Sequence, residues 1–99
     1  MEYTLRLTPQ AKADIAAACR YIAFELENPR AAADLANGIY EVIFSLDVMP
    51  CRNPVWPREP WCSRNVRWTG YKNYNIFYSA DDDVGIVKIL RVFYNRRNV

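Results

Sequence analysis

Ninety-nine residues suffice for one domain (1–99) and are too few for two, and a 52% apolar share supports a hydrophobic core without metals or crosslinks. No run of about 18 apolar residues occurs, and the alternating stretch from Met1 to Arg6 lacks the basic head and apolar run of a signal peptide, so no membrane span is expected and the cytoplasm is the predicted location. Net charge is only +2, yet residues 1–50 hold four basic against seven acidic groups and residues 51–99 nine basic against four acidic, which points the C-terminal half toward an anionic partner.

Three cysteines, Cys19, Cys51 and Cys62, form no CxxC pair, and the chain has no histidine. An odd count without metal-ligand spacing predicts neither a disulfide framework nor a zinc site; the thiols read as small apolar residues, and no cofactor or metal is expected.

Tyr3, Leu5 and Leu7 alternate with polar neighbours, the period of a strand with one buried face. Thr8-Pro9 follows, a capping side chain before a proline at the first helical position, where its missing N–H costs nothing. Ala11, Ile15, Ala18, Cys19, Ile22 and Leu26 then recur at helical spacing and predict an amphipathic helix of about five turns. Asn28-Pro29 repeats the cap-plus-proline device, so a second helix is expected almost without a loop, with Ala32, Leu35, Ile39, Val42, Ile43 and Leu46 as its apolar stripe. Gly38 inside that stripe reads as a place of close helix contact, and Met49-Pro50 as its end.

Residues 50–63 carry Pro50, Pro54, Pro57 and Pro60 together with Trp56 and Trp61. A flexible linker rarely holds two tryptophans, so these are expected to fold down onto the domain or to await a partner. Three strands come next: one around Val66 and Trp68, one over Tyr74–Tyr78, and one from Ile86 to Tyr94. The turn Asp81-Asp82-Asp83-Val84-Gly85 separates the last two and reads as solvated, not as a calcium loop. The last strand is almost continuously apolar, which predicts a central position covered on both faces. The order β-α-α-β-β-β predicts an α+β fold: an antiparallel helical hairpin on one face of a curved, mainly antiparallel four-stranded sheet, with the first strand beside the last.

Several local patterns then fall into one order. They are Leu7-Thr8-Pro9-Gln10-Ala11 followed by Asp14 and Tyr21-Ile22, then Asn28-Pro29-Arg30-Ala31-Ala32, then Ser45-Leu46 with Met49-Pro50. After these come Glu59-Pro60-Trp61-Cys62-Ser63-Arg64 leading to Val66-Arg67, then Tyr74–Tyr78, and Ile89-Leu90-Arg91-Val92-Phe93-Tyr94-Asn95-Arg96-Arg97. In this order and spacing, over nearly the whole chain, the sequence resembles toxins of the RelE/ParE superfamily of type II toxin–antitoxin (plasmid stabilisation) modules. The resemblance implies a cognate antitoxin as partner and growth arrest when the toxin is free. It also implies one of two targets: DNA gyrase, bound and inhibited, or ribosome-bound mRNA, cut by a metal-independent endoribonuclease. A toxin-like fold that has lost activity and survives as a binding module is the third reading, and oligomeric state stays open.

Cutting RNA by internal attack needs a base, an acid and positive groups at the phosphorus. Without histidine, a site of lysine, arginine and tyrosine remains open, and its candidates are Arg64, Arg67, Tyr94, Arg96 and Arg97, which antiparallel geometry would gather at one sheet edge. Arg91, inside an apolar run, reads either as a paired arginine or, with Arg96 and Arg97, as part of a target-binding face; Trp56 and Trp61 are the candidate partner-binding residues.

Overall fold

In the computed structural model, which describes residues 2–95, Thr8 ends one element and starts the next. Strand β1 (Thr4–Leu7) leads to Thr8, whose amide and hydroxyl both donate to the Ile89 carbonyl. The same hydroxyl oxygen accepts the Ala11 amide at 3.1 Å and so caps helix α1 (Pro9–Arg20). A single π-turn, Tyr21–Glu25, extends α1 and carries the chain to a left-handed Glu27 (φ 50). The sequence placed Leu26 on the buried stripe; after the wider turn it is 56% exposed instead.

Asn28 caps helix α2 (Pro29–Phe44) through the Ala31 amide, as expected, and Cys19 Sγ contacts the Ala32 carbonyl at 3.6 Å across the hairpin. All three cysteines are free thiols; Cys19 is half-buried, whereas Cys51 and Cys62 are exposed. Helix α2 stops earlier than Met49-Pro50: a 3-10 turn, Ser45–Asp47, buries Leu46, and Met49 then takes a left-handed conformation. Gly38 serves a different contact from the predicted one. The ring of Tyr71 lies against it, and a Cβ there would sit 2.0 Å from Tyr71 Cζ, so the glycine admits a strand side chain rather than a second helix.

Strands β2 (Arg67–Tyr71), β3 (Tyr74–Asp81) and β4 (Ile86–Tyr94) form the predicted antiparallel meander, and β1 pairs in parallel with β4. The sheet order is β1-β4-β3-β2. The helical hairpin covers its inner face, where Ile15, Ile39, Ile43, Ile76, Val87 and Ile89 form the centre of the core. Tyr78 is fully buried among them, its hydroxyl donating to the Pro50 carbonyl and accepting from Asn53 Nδ2.

The outer face is closed differently. Residues 54–56 run beside the start of β2: the Trp68 amide reaches the Pro54 carbonyl and the Trp56 amide the Val66 carbonyl. Strand β4 is central as predicted but not covered along its whole outer side, since Lys88 is exposed. A bulge explains part of the mismatch: Phe77 pairs with Arg91 while Tyr78 pairs with Ile89, which leaves Leu90 without a partner and resets the alternation.

Candidate functional site

The C-terminal end of β4 is where the candidate residues accumulate, and Asp14 organises it. Strand β1 ends opposite Ile89, so the backbone edge of β4 beyond that point has no neighbouring strand on that side. Asp14, one turn into α1, fills the gap. Its Oδ2 accepts the Val92 amide at 2.9 Å, and its two oxygens receive Arg91 Nε at 2.7 Å and an Arg91 terminal nitrogen at 2.9 Å. This fork-shaped pair is charge-assisted, and the hydrogen bond to Asp14 raises the pKa of Arg91 above its ordinary value. Arg91 is thus a paired arginine, with its side chain still 37% exposed. Its guanidinium also lies 4.3 Å from the centroid of the Phe93 ring, a cation–π contact.

Between α1 and the ends of β3 and β4 lies a groove of about 390 Å³, lined by Asp14, Ala18, Tyr21, Tyr74 and Tyr94 among others. Tyr74 and Tyr94 face one another across the strands with ring centroids 5.5 Å apart. Burial pushes the Tyr74 phenol up, with the neighbouring Tyr94 adding to it. Tyr74 is thus held protonated and suited to donating a hydrogen bond, not to removing a proton. The groove reaches Tyr21, 57% exposed, in the same π-turn as Phe24, which is 74% exposed.

The register separates the residues that the sequence expected at one edge. Arg67 sits level with Tyr78 and Ile89, whereas Tyr94 sits level with Tyr74 and Tyr71. Four residues of strand at about 3.3 Å each put them roughly 13 Å apart along the sheet, on strands separated by β3. Arg67 is also committed, its terminal nitrogen donating to the Asn53 carbonyl at 2.6 Å. The antiparallel meander runs β2 and β4 in the same direction, so the start of one and the end of the other fall at opposite ends. Arg64 is exposed in the turn after Trp61, its amide on the Trp61 carbonyl. Arg96 and Arg97 lie outside the described residues.

Trp56 and Trp61 fold down onto the outer face. Trp56 meets Phe77 edge-on at 5.0 Å and Trp68 at 5.5 Å; Trp61 lies 4.5 Å from Phe77 and parallel to Phe93. Sequence reasoning gave no role to Asp14, Phe93 or Arg58. Phe93 could have been found from its alternation with Arg91 in the last strand; the Asp14–Arg91 contact, 77 residues apart in sequence, had no local signal.

Comparison with known proteins agrees with this architecture. The chromosomal ParDE toxin–antitoxin system of P. aeruginosa contains a chain that superimposes with a TM-score of 0.76 at 21% identity, covering 94% of this chain and 96% of that one. A chain of the RelBE2 toxin–antitoxin complex of Mycobacterium tuberculosis gives 0.67 at 26% identity, covering 95% and 92%. One from the archaeal RelE–RelB complex of Pyrococcus horikoshii gives 0.54 at 17% identity, covering 99% and 100%. No curated protein matches the sequence. The family model for the ParE toxin of the parDE type II toxin–antitoxin system matches residues 5–99, and the chain belongs to that family of toxins.

Proposed function

We propose that this toxin arrests growth by binding its target rather than by cutting it, with DNA gyrase as the target that the ParE side of the resemblance implies. The observation that supports binding most directly is the sheet register. Arg67 and Tyr94, two of the five residues that RNA cleavage would use, belong to different ends of the sheet, which speaks against one shared cleavage site. The basic pair Arg96–Arg97 is proposed, on sequence alone, as the contact to the target.

A cognate antitoxin is the proposed partner, by analogy with the toxin–antitoxin complexes to which the similar chains belong. The groove between α1 and the strand ends, continued by exposed Tyr21 and Phe24, is an apolar surface that an antitoxin segment would cover on folding. The chain is read as one toxin domain acting without a cofactor.

Two assays separate the targets. With purified gyrase, the protein is expected to block supercoiling, while primer extension in a bacterial cell-free translation reaction shows intact mRNA. Discrete ribosome-dependent cuts would overturn this reading in favour of the endoribonuclease. The double variant Arg96→Ala/Arg97→Ala is expected to lose growth arrest and keep antitoxin binding; a well-expressed double variant that still arrests growth removes the pair from the site.

A further inference from the structure

Strand β4 has a neighbouring strand on both sides only as far as Ile89, opposite the last residue of β1, while β3 accompanies it to Tyr94. The bulge at Leu90 decides what the half-covered stretch presents. Before it, odd-numbered residues turn their backbone polar groups toward β1: the Gly85 and Ile89 carbonyls accept from the Thr4 and Thr8 amides. After it, the Asn95 amide reaches the Asn73 carbonyl, so Arg91 and Phe93 bond toward β3 and the even-numbered Val92 turns its amide the other way.

Val92 is 4% exposed, and an unpaired amide in so buried a residue is costly. Asp14 Oδ2 accepts that amide at 2.9 Å, one rung of a ladder that β1 is too short to supply. Among the described residues, it is the one side chain that bonds to the backbone of β4 beyond Leu90. The carboxylate is held for this from two directions. Thr8 ties the start of α1 to the same strand through the Ile89 and Leu90 carbonyls, and Arg91 engages both carboxylate oxygens. A strand end paired on one side opens more readily than the strand's middle. The end of β4 carries Tyr94 and leads, in sequence, straight to Arg96 and Arg97. Whatever fixes Val92 therefore fixes the point from which these residues set out.

We propose that Asp14 is a positioning residue of the toxin: standing in for the missing strand at Val92, it sets the course of the end of β4 and so the presentation of the residues from Tyr94 onward to the target. The inference rests on the proposed placing of the target contact at this end of the strand, but not on which target it is.

The test is growth arrest in bacteria expressing the full chain from a titratable promoter, read as the amount of soluble toxin that halves the growth rate. Asp14→Ala removes the acceptor of the Val92 amide and is expected to need at least tenfold more toxin than the wild type. Asp14→Asn keeps an oxygen for that amide while losing the charge that pairs with Arg91, and is expected to stay within threefold. Ile39→Val and Ile39→Ala, in the core and away from β4's end, bracket the stability lost in Asp14→Ala by their urea midpoints; at a matched midpoint they are expected to arrest growth as the wild type does. Full potency of Asp14→Ala, equal weakness of Asp14→Asn, or an equal loss in an Ile39 variant of the same stability would overturn the proposal. A wild type that arrests no growth would overturn both this and the functional reading. The readings part in two other outcomes. Growth arrest without inhibition of gyrase sinks the choice of gyrase alone. An Arg96→Ala/Arg97→Ala variant that still arrests growth, beside an Asp14→Ala variant that does not, removes the basic pair and leaves Asp14 positioning the other residues of the strand end.

Discussion

The two faces of the sheet are closed by opposite means. On the inner side, two helices lay down aliphatic side chains at regular spacing, and Ile39, Ile43, Leu46, Ile76, Val87 and Ile89 are all 0% exposed. On the outer side an irregular loop lays Trp56 and Trp61 over Phe77, beside Trp68 and Phe93. Strands β3 and β4 supply residues to both. The helical cover seals the middle of the sheet and leaves a groove only where α1 passes the ends of β3 and β4, whereas the aromatic cover is partial and leaves a cavity lined by Trp56, Arg58, Trp61 and Phe93. The fully buried aliphatic core is therefore concentrated on one side.

That contrast can be broken most forcefully from the inside. Ile39→Ala removes a fully buried side chain from the middle of α2 and is expected to cost roughly 2–5 kcal/mol. Trp61→Ala removes a larger but half-buried side chain, and a cost of about 2 kcal/mol is expected, below the range for a fully buried tryptophan. Urea unfolding of both measures the difference. A larger loss for Trp61→Ala would mean that the aromatic cover, not the helical one, dominates stability.

A more local test concerns the place where a helix and a strand come closest. Gly38→Ala would put a Cβ within 2.0 Å of the Tyr71 ring, and overpacking of this kind typically costs about 1–3 kcal/mol. In a Tyr71→Ala background the obstacle is gone, and the same substitution is expected to stabilise by up to about 1 kcal/mol through helix propensity. The sign change across the double-mutant cycle is the readout; a destabilising effect of equal size in both backgrounds would rule out Tyr71 as the cause.

These two sites also show what the sequence could reveal. The periodicity of α1 and α2, the caps at Thr8 and Asn28, and the placement of β1 beside the last strand were all legible, because each follows from local spacing and from the length of the helical excursion. The role of Gly38 was not, since a glycine reports that space is needed without naming what fills it. The bulge at Leu90 and the distance between Arg67 and Tyr94 were hidden for a related reason: register depends on which residues pair across strands, and no single strand contains that information. Asp14 is the extreme case, because its function depends on β1 stopping at Leu7. Arg96 and Arg97 remain as the sequence left them, a basic pair proposed for the target.

Buried Tyr78 links the two covers, and pH can probe it. Burial raises its pKa above the ordinary 10.0, although its hydrogen bond with Asn53 pulls the other way. The unfolded chain gives up this proton near pH 10 while the folded chain keeps it, so folding stability is full below that pH. It is then lost as pH rises from about 10 through the raised folded value. Tyr78→Phe removes this contribution together with the bonds to Pro50 and Asn53. The variant is expected to be less stable at pH 7 but to lose less between pH 9 and 11, as followed by urea midpoints. A parallel decline in both proteins would assign the alkaline loss to other groups.

The smallest expected effect lies where the chain leaves one cover for the other. Asp47 and Val48 still bond beside β1, and by Pro54 the chain has reached the β2 edge. Met49 begins this crossing in a left-handed conformation, φ 50 and ψ 55, with a side chain 70% exposed. A side chain in that region costs roughly 1–2 kcal/mol relative to glycine, and little packing is available to offset it. Met49→Gly relieves the clash but enlarges the freedom of the unfolded chain, which takes back about 0.4–1 kcal/mol. A net gain of roughly 0.5–1 kcal/mol in urea unfolding is expected, with Met49→Ala giving no such gain because it keeps its Cβ. If glycine destabilises instead, the exposed methionine is packing against something that matters to the crossing, and the outer cover begins earlier in the chain than Pro50.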